Sequence, residues 1–341
     1  MNPKGRPTLV SIAADAGVSR QTVSNVLNNP EVVHPLTRER VHAAITAAGY
    51  RPSAVAKALR TQRSMAIGLR LYRAVDGING AVMDRFLHSL AGEAQRHGYR
   101  ITLLTADDSI GEADKLDALH STASIDLAVL TDTGFDDPRP EQLREADVPF
   151  VAFGRPWGRV ETSDHCWVDI DGNAGTAAAA AWLRELGHTR IGFLGWPQGS
   201  GVGDDRRDGW RRAVADLPEC GDLDVAVLDD HPSAGAEGAA ELVERGTTAI
   251  VCASDSLALG AMSEFRRAGR LPDAGPIPVV GFDDTPVARA VGLPSVHQPV
   301  EDAAVGLVEL ALDVLDGRIP AHPQRLLEPT LVRRQLEPFA R

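Results

Sequence analysis

Residues 9–28 constrain this chain most, because apolar side chains recur there at helical spacing on both sides of a tight turn. Leu9 begins an i, i+3, i+4, i+7 apolar series, and Thr8 precedes it as an N-cap. Gly17 ends this helix, and Ser19 can cap a second one. Two short amphipathic helices joined in this way predict a helix-turn-helix, a motif that binds DNA.

The predicted second helix has an apolar face and a polar face. Val23, Val26 and Leu27 turn inward at helical spacing. The polar side chains left outside are Arg20, Gln21, Thr22, Ser24 and Asn25. Arginine, glutamine and asparagine are the residue types that pair with base edges, and the hydroxyl residues suit phosphate contacts.

Charge divides the chain near residue 63. Residues 1–63 contain nine Lys or Arg and three acidic residues, a net charge of +6. The whole chain carries −12, so the remainder carries −18. We therefore expect affinity for phosphate only in the first sixty residues, since an acidic body repels nonspecific DNA.

Cysteine usage and hydropathy indicate an intracellular protein. Cys166, Cys220 and Cys252 form no C-x-x-C, and no histidine pair has metal-ligand spacing, so neither disulfides nor a metal site nor a cofactor is expected. No signal peptide and no apolar stretch of membrane-spanning length is evident. The predicted location is the bacterial cytoplasm, in association with the nucleoid.

A third helix and a hinge follow the helix-turn-helix. Pro35 starts a helix that ends at Ala48, before Gly49, and residues 1–50 are predicted to form the DNA-binding domain. Residues 51–63 are the predicted hinge, in which a short basic helix has little surface to bury and is marginal alone.

From residue 64 onward the pattern is α/β, with parallel sheets covered by helices on both faces. Predicted strands cover residues 66–71, 100–105, 127–131, 150–153, 190–194, 225–228, 249–253 and 279–282. Helical periodicity covers 83–97, 175–186, 207–216, 236–245 and 256–268. The length predicts two lobes: lobe 1 at about 64–160 and 292–322, and lobe 2 at about 161–291 and 323–341.

Six segments together resemble the LacI/GalR family of transcriptional repressors, in which a helix-turn-helix head precedes a sensor like a periplasmic binding protein. They are residues 11–28, 49–60, 186–195, 206–210, 253–261 and 280–284. Two residues depart from the family pattern: His34 replaces a capping serine, and Ser53 stands where asparagine is common. The C-terminus has no leucine heptads like those that make some family members tetramers, so a homodimer is the better expectation and a higher oligomer stays open.

For the DNA end, the resemblance implies two heads that bind a palindromic operator. Arg20, Gln21 and Asn25 would contact bases, while Thr22 and Ser24 would contact the backbone. Leu59 would insert into the minor groove as a wedge that kinks the duplex. The alternative is that Leu59 packs on the sensor domain.

For the sensor domain, 64–341, the resemblance implies dimerisation and an effector in the crevice at the carboxyl ends of the strands. Arg206 and Asp283 carry the firmest family analogy, with Ser254 or Asp255 beside them. Loop position adds Arg155, Trp157 and Trp196, and Asp169 and Phe86 complete the predicted set. This combination suits a sugar, with a slight preference for a glucoside or short oligosaccharide. Alternatively, Asp283 caps the next turn, Asp255 caps the helix near Ser256, and Trp210 belongs to the core.

An effector between the lobes would control operator affinity by its differential affinity for two lobe arrangements, as inducer or corepressor. A nucleoside effector, or none, remains an alternative.

An enzyme is disfavoured because the chain lacks G-x-S-x-G, Walker and H-E-x-x-H motifs, so no catalytic residue is predicted. The glycine-rich segment 199–203 is interpreted as a mobile loop beside the ligand. A transport binding protein would have no use for the basic head.

Overall fold

The computed structural model describes residues 7–50, 63–72, 78, 80–268 and 277–334. The chain divides into two compact units, residues 1–63 and 64–341, a division that coincides with the predicted end of the hinge. Most of the hinge, with the proposed wedge Leu59, lies outside the described residues.

The first unit contains three helices, α1 (Leu9–Ala16), α2 (Arg20–Asn28) and α3 (Pro35–Ala48), with a 3-10 turn at Pro30–Val32. Thr8 and Ser11 form a capping box on α1, and Ser19 accepts a hydrogen bond from the Thr22 amide on α2. The side chain of His34 makes no capping bond to α3, as its departure from the family pattern predicted. Ile12, Val23 and Val41 are fully buried and hold the three helices together.

Lobe 1 of the second unit contains a six-stranded parallel sheet. Its strands are β1 (Ala66–Arg70), β2 (Arg100–Leu104), β3 (Leu127–Leu130), β4 (Phe150–Phe153), β5 (Trp167–Ile170) and β11 (Gln324–Leu327), in the order β11-β5-β4-β3-β1-β2. Its helices are α4 (Gly80–Arg96), α5 (Ser109–Ser121), α6 (Arg139–Glu145) and α12 (Val300–Leu315). Helices α4 and α12 share one hydrophobic cluster with the sheet, and α5 and α6 share another. The sheet is therefore covered on both faces.

Lobe 2 repeats this design with one antiparallel edge. Its strands are β6 (Ile191–Gly195), β7 (Asp224–Ala226), β8 (Ala249–Cys252), β9 (Val279–Asp283), β10 (Ser295–His297) and β12 (Thr330–Val332), in the order β12-β10-β9-β8-β6-β7. Its helices are α7 (Gly172–Glu185), α8 (Gly201–Ala213), α9 (Pro232–Glu244), α10 (Asp255–Ala268) and α11 (Pro286–Ala290). Only β12 pairs antiparallel, against β10, among the described strands. The predicted two-lobed α/β architecture is confirmed.

The chain crosses between the two sheets three times, and all three crossings come later than predicted. They follow Ile170, His297 and Leu327, whereas the predicted boundaries lie near residues 160, 291 and 322. The cause is that β5, β10 and β11 each contain polar residues that interrupt the apolar segment, so none of the three was predicted. The prediction therefore assigned β5 and β11 to lobe 2 and β10 to lobe 1, and these assignments are wrong.

Every strand predicted from the sequence is present, with ends shifted by at most two residues. Each predicted helix of the two lobes begins earlier in the chain than predicted from its apolar spacing. Four of these five helices begin with glycine or proline, which add nothing to the apolar pattern. The interpretation of residues 199–203 as a mobile loop is wrong. Ser200 caps α8, and Gly201 and Gly203 form its first turn.

Candidate functional site

Helix α2 presents the predicted base-contacting residues on one surface of the head. Arg20 and Gln21 are exposed, and Asn25 is half-buried. Gln21 Nε2 donates to Asn25 Oδ1 at 3.0 Å, so these two side chains lie together one helical turn apart. The Thr22 hydroxyl lies 2.9 Å from that of Ser19, at the start of the helix. The DNA roles of these residues remain predictions, and the geometry leaves their polar groups at the surface as such roles require.

Arg206 lies on α8 and reaches the carboxyl ends of two strands of lobe 2. Its guanidinium donates to the carbonyl of Ala253, after β8, and lies 3.8 Å above the ring of Phe282 in β9. The residue is 7% exposed, and Nε has no hydrogen-bond partner among the described residues. Burial lowers the pKa of Arg206, although neighbouring carboxylates raise it. A buried donor without an acceptor is costly, so this nitrogen is suited to a ligand oxygen.

Asp283, the last residue of β9, faces Arg206 across 3.9 Å. It is 6% exposed, and its Oδ1 accepts a hydrogen bond of 2.6 Å from Gln298 Nε2. Burial raises the pKa of Asp283 to about 8, although Arg206 lowers it. The alternative in which Asp283 caps the next turn is wrong, because Thr285 caps α11 by accepting from the Ala288 amide.

The backbone that presents Asp283 is strained. Asp283 has φ of 116° and Asp284 has φ of 49°, in regions that L-residues rarely adopt. The surroundings hold this conformation, because the Asp284 carboxylate pairs with Arg289 at 2.8 Å and also with Arg334. Strain of about 1–3 kcal/mol at such a residue is typical of functional sites.

Ser254 and Asp255 serve the structure of lobe 2. The Ser254 hydroxyl donates to Asp230 and accepts from the Leu257 amide, so Ser254 caps α10, and Asp255 does not. Asp255 is fully buried and accepts from Ser295 Oγ at 2.6 Å and from the Thr285 amide at 2.7 Å. Both carboxylate oxygens of Asp255 thus accept hydrogen bonds within the protein, which does not favour its predicted contact with an effector.

In lobe 1, Arg155 follows β4 and contacts carboxylates of both lobes. Its Nε donates to Asp169 of β5 at 2.6 Å, and its Nη2 donates to Asp205 of α8 at 2.9 Å. Phe86 is fully buried in the lobe 1 core and stacks on Phe153 with ring centroids 4.3 Å apart. This core position does not favour the predicted contact between Phe86 and an effector, which stays a prediction.

Trp157 and Trp196, the predicted effector contacts, and Trp210, which was assigned to the core, have different surroundings. Trp157 packs against Gly201 of α8, and Trp196 packs against Gly203 on the opposite side of that helix. The indole nitrogens of Trp157 and Trp196 are buried without a hydrogen-bond partner among the described residues. Trp210 is 2% exposed and stacks on Phe193, so its predicted core position is confirmed.

Sequence reasoning missed three polar residues of this region. Asp205 and Asp230 contact Arg155 and Ser254, and Gln298 contacts Asp283. Asp205 directly precedes the segment 206–210, which carries part of the family resemblance, and this position could have indicated its role. Gln298 follows β10, a strand that was not predicted, and nothing in the sequence pointed to it.

The described residues contain no helix long and apolar enough to cross a membrane. Within the same ranges, no group of three or more His, Cys, Asp or Glu is arranged to hold a metal ion. Cys166, Cys220 and Cys252 are buried free thiols.

Comparison with known proteins identifies both units. Residues 8–53 match the model described as bacterial regulatory proteins, lacI family, and residues 180–335 match that of a periplasmic binding protein-like domain. The HTH-type transcriptional regulator CelR of Thermobifida fusca is 33% identical over 98% of this chain and 99% of that protein. GalR of Escherichia coli is 29% identical over 96% of this chain and 94% of that protein.

Solved structures agree with this assignment. A transcriptional regulator CelR–cellobiose complex superposes with a TM-score of 0.70 at 31% identity, covering 96% of this chain and 99% of that one. The lac repressor dimer bound to operator and the anti-inducer ONPF has the same fold, with a TM-score of 0.78 at 23% identity, covering 96% and 98%. Both CelR and GalR are HTH-type transcriptional regulators, the class of protein that the sequence predicted. This chain belongs to the lacI family of bacterial regulatory proteins and is a helix-turn-helix transcriptional regulator.

Proposed function

We propose that this regulator binds a palindromic operator as a homodimer, and that an uncharged sugar held between its lobes controls operator affinity. The observation that carries the proposal is the buried pair of Arg206 and Asp283, set against Phe282 at the strand ends of lobe 2. A guanidinium, a carboxyl group and an apolar ring are what recognition of a hydroxylated ring requires. The unpartnered Nε of Arg206 supports a ligand at this point.

The DNA end of the proposal rests on α2. Arg20 is exposed and can form two hydrogen bonds to a guanine, while Gln21 or Asn25 can pair with an adenine. Thr22 and Ser24 would contact phosphates and so set the register without discriminating between sequences. One helix contacts too few base pairs for genomic specificity, which is why two heads and a palindrome are proposed.

The charge of the crevice favours an effector without negative charge. The acidic residues near its two guanidinium groups are Asp169, Asp205, Asp230 and Asp283. The carboxylates of Asp169, Asp205 and Asp230 outnumber the guanidinium groups of Arg155 and Arg206, so a sugar phosphate or sugar acid would be disfavoured, whereas a neutral sugar would not. The CelR complex contains cellobiose. We therefore propose a neutral glucoside of disaccharide size, for which Trp196 supplies an apolar face beside Arg206 at 5.6 Å.

The proposed location is the bacterial cytoplasm, with the dimer associated with the nucleoid. The buried free thiols of the three cysteines are consistent with a reducing compartment.

Selection of binding sites from random DNA tests the operator. The full-length protein should enrich a palindrome at moderate salt, and fluorescence anisotropy on the enriched duplex should then change when cellobiose is added. Glucose, maltose, adenosine and glucose 6-phosphate complete the panel. Failure to enrich any sequence with folded protein would refute the operator proposal, and a response to glucose 6-phosphate alone would refute the uncharged effector.

A matched pair of variants tests the crevice. Arg206→Met should keep operator binding but lose at least about tenfold in cellobiose affinity, because a charge-assisted hydrogen bond contributes about 1.5–3 kcal/mol. Arg211→Met changes an arginine of the same helix whose side chain is 46% exposed, and it should behave as the wild type. Equal cellobiose affinity in both variants would remove Arg206 from the site.

A further inference from the structure

Helix α8 has two neighbouring residues that face different partners. Arg206 points to Phe282 and Asp283 in lobe 2, where the effector is proposed to bind. Asp205 points the other way and accepts from Arg155 of lobe 1 at 2.9 Å. One rigid element therefore carries a proposed effector contact and a contact between the lobes.

The lobe contact of Arg155 is largely shielded from water. The side chains of Arg155, Asp169 and Asp205 are 12%, 11% and 14% exposed. The Arg155 carbonyl also accepts from Thr133 Oγ1 at 2.8 Å, and the Asp205 carboxylate also accepts from the Asn173 amide at 2.9 Å. Each end of the bridge is thus anchored within its own lobe, so the bridge transmits displacement between them. Its polar groups satisfy one another, which argues against Arg155 as an effector contact.

Trp157 makes a second contact between the lobes, on the same face of α8. The side chain is 9% exposed, and the Arg155 guanidinium lies 4.5 Å from its ring. A Cβ atom added to Gly201 would lie 2.2 Å from the indole Cγ, closer than any real contact. Gly201 is therefore the residue that permits the indole of lobe 1 to reach the first turn of α8.

We propose that Arg155 and Trp157 are positioning residues that couple the effector site to the angle between the lobes through α8. The proposal rests on the proposed function, because it requires an effector at Arg206. A ligand that draws Arg206 moves Asp205 and Gly201 with it, since all three lie on one helix. That movement strains or relieves the contacts with lobe 1, so both sites bias the position of the same element.

Asp205→Asn tests the bridge with little change in volume. The measurement is the ratio of operator dissociation constants with and without saturating cellobiose, together with the cellobiose dissociation constant from calorimetry, on the full-length protein. We expect the ratio of operator dissociation constants to fall about three- to thirtyfold. The cellobiose dissociation constant should change by a smaller factor than this ratio does. Asp208→Asn is the matched control, because Asp208 lies on the same helix with its side chain 63% exposed.

Gly201→Ala tests the second contact by an independent route. The added methyl group displaces Trp157, so the same fall in the operator ratio is expected. An unchanged ratio in both variants would overturn the inference, as would a loss of cellobiose affinity with the ratio preserved. A wild-type protein that binds no operator or ignores cellobiose would instead refute the proposed function, which separates the two failures.

Discussion

The buried carboxyl group of Asp283 predicts a pH dependence of stability that one substitution should remove. Burial raises its pKa to about 8 in the folded protein, although Arg206 lowers it. In the unfolded chain an aspartate has a pKa of about 3.9. Between these values the folded state holds a proton that the unfolded state has released.

The sign and size follow from proton linkage. Because the pKa of Asp283 is raised in the folded protein, its protonated carboxyl group stabilises the fold fully below about pH 4. This contribution to the free energy of unfolding is lost as the pH rises to about 8. The loss is about 1.4 kcal/mol per pH unit for one extra proton. Asp283→Asn keeps an acceptor for Gln298 but cannot titrate. We therefore expect the stability of Asp283→Asn relative to wild type to increase by about 3 kcal/mol between pH 5 and pH 7.

Urea unfolding followed by tryptophan fluorescence measures this difference. All five tryptophans lie between residues 157 and 210, so the signal reports on the sensor unit and not on the head. The free energies of unfolding of the wild type and of Asp283→Asn, measured at pH 5, 6, 7, 8 and 9, should diverge up to about pH 8. Above that pH their difference should stay constant. Asp208→Asn, at an exposed position, should follow the wild type. Parallel wild-type and Asp283→Asn curves throughout would show that Asp283 is ionised in the folded protein and would refute the reasoning.

Three further changes have defined outcomes. Arg20→Ala should lose about 1–3 kcal/mol of discrimination at one operator base pair, measured by titrating single-base operator variants; a uniform loss over all variants would assign it to the backbone instead. Gly209→Ala should destabilise the sensor unit by several degrees in Tm, because the new Cβ would lie 2.1 Å from the carbonyl oxygen of Asn173, whereas Gly92→Ala has open space and should stabilise slightly. His34→Ser should stabilise the head by about 0.5–1 kcal/mol by supplying the missing cap, and an unchanged Tm of the head transition would argue against the cap.

The head was predictable because its structure is specified locally. Thr8, Ser19 and Gly17 mark helix ends by interactions that span only a few residues. The apolar spacing within each helix then identifies the buried face, and Ile12, Val23 and Val41 lie there. Eight strands of the two lobes were predicted as readily, since each is a short apolar segment between polar ones.

Helix α12 was not predicted because no side chain caps its start: its N-cap residue is Pro299, so the signal that marks a helix N-terminus is absent. Strands β5 and β10 contain polar residues, Asp169 in β5 and Ser295 and His297 in β10, which interrupt the apolar segment by which the other strands were recognised.

The bridge from Arg155 to Asp205 could not be predicted from the sequence, because these residues are 50 positions apart and only the fold brings them together. Loop position alone suggested that Arg155 contacts an effector, yet its guanidinium contacts two carboxylates. Arg206 and Asp283, which were predicted from the family resemblance, lie 3.9 Å apart in the structure, and their contact with an effector stays a prediction.

The three crossings between lobes have a consequence for biosynthesis. Strand β11 completes the sheet of lobe 1, and β12 completes that of lobe 2, yet both lie after residue 323. Neither sheet can gain its last strand until nearly the whole chain has left the ribosome. The head needs only local contacts and can fold first. A nascent chain would therefore present a finished helix-turn-helix before it has a sensor to govern it.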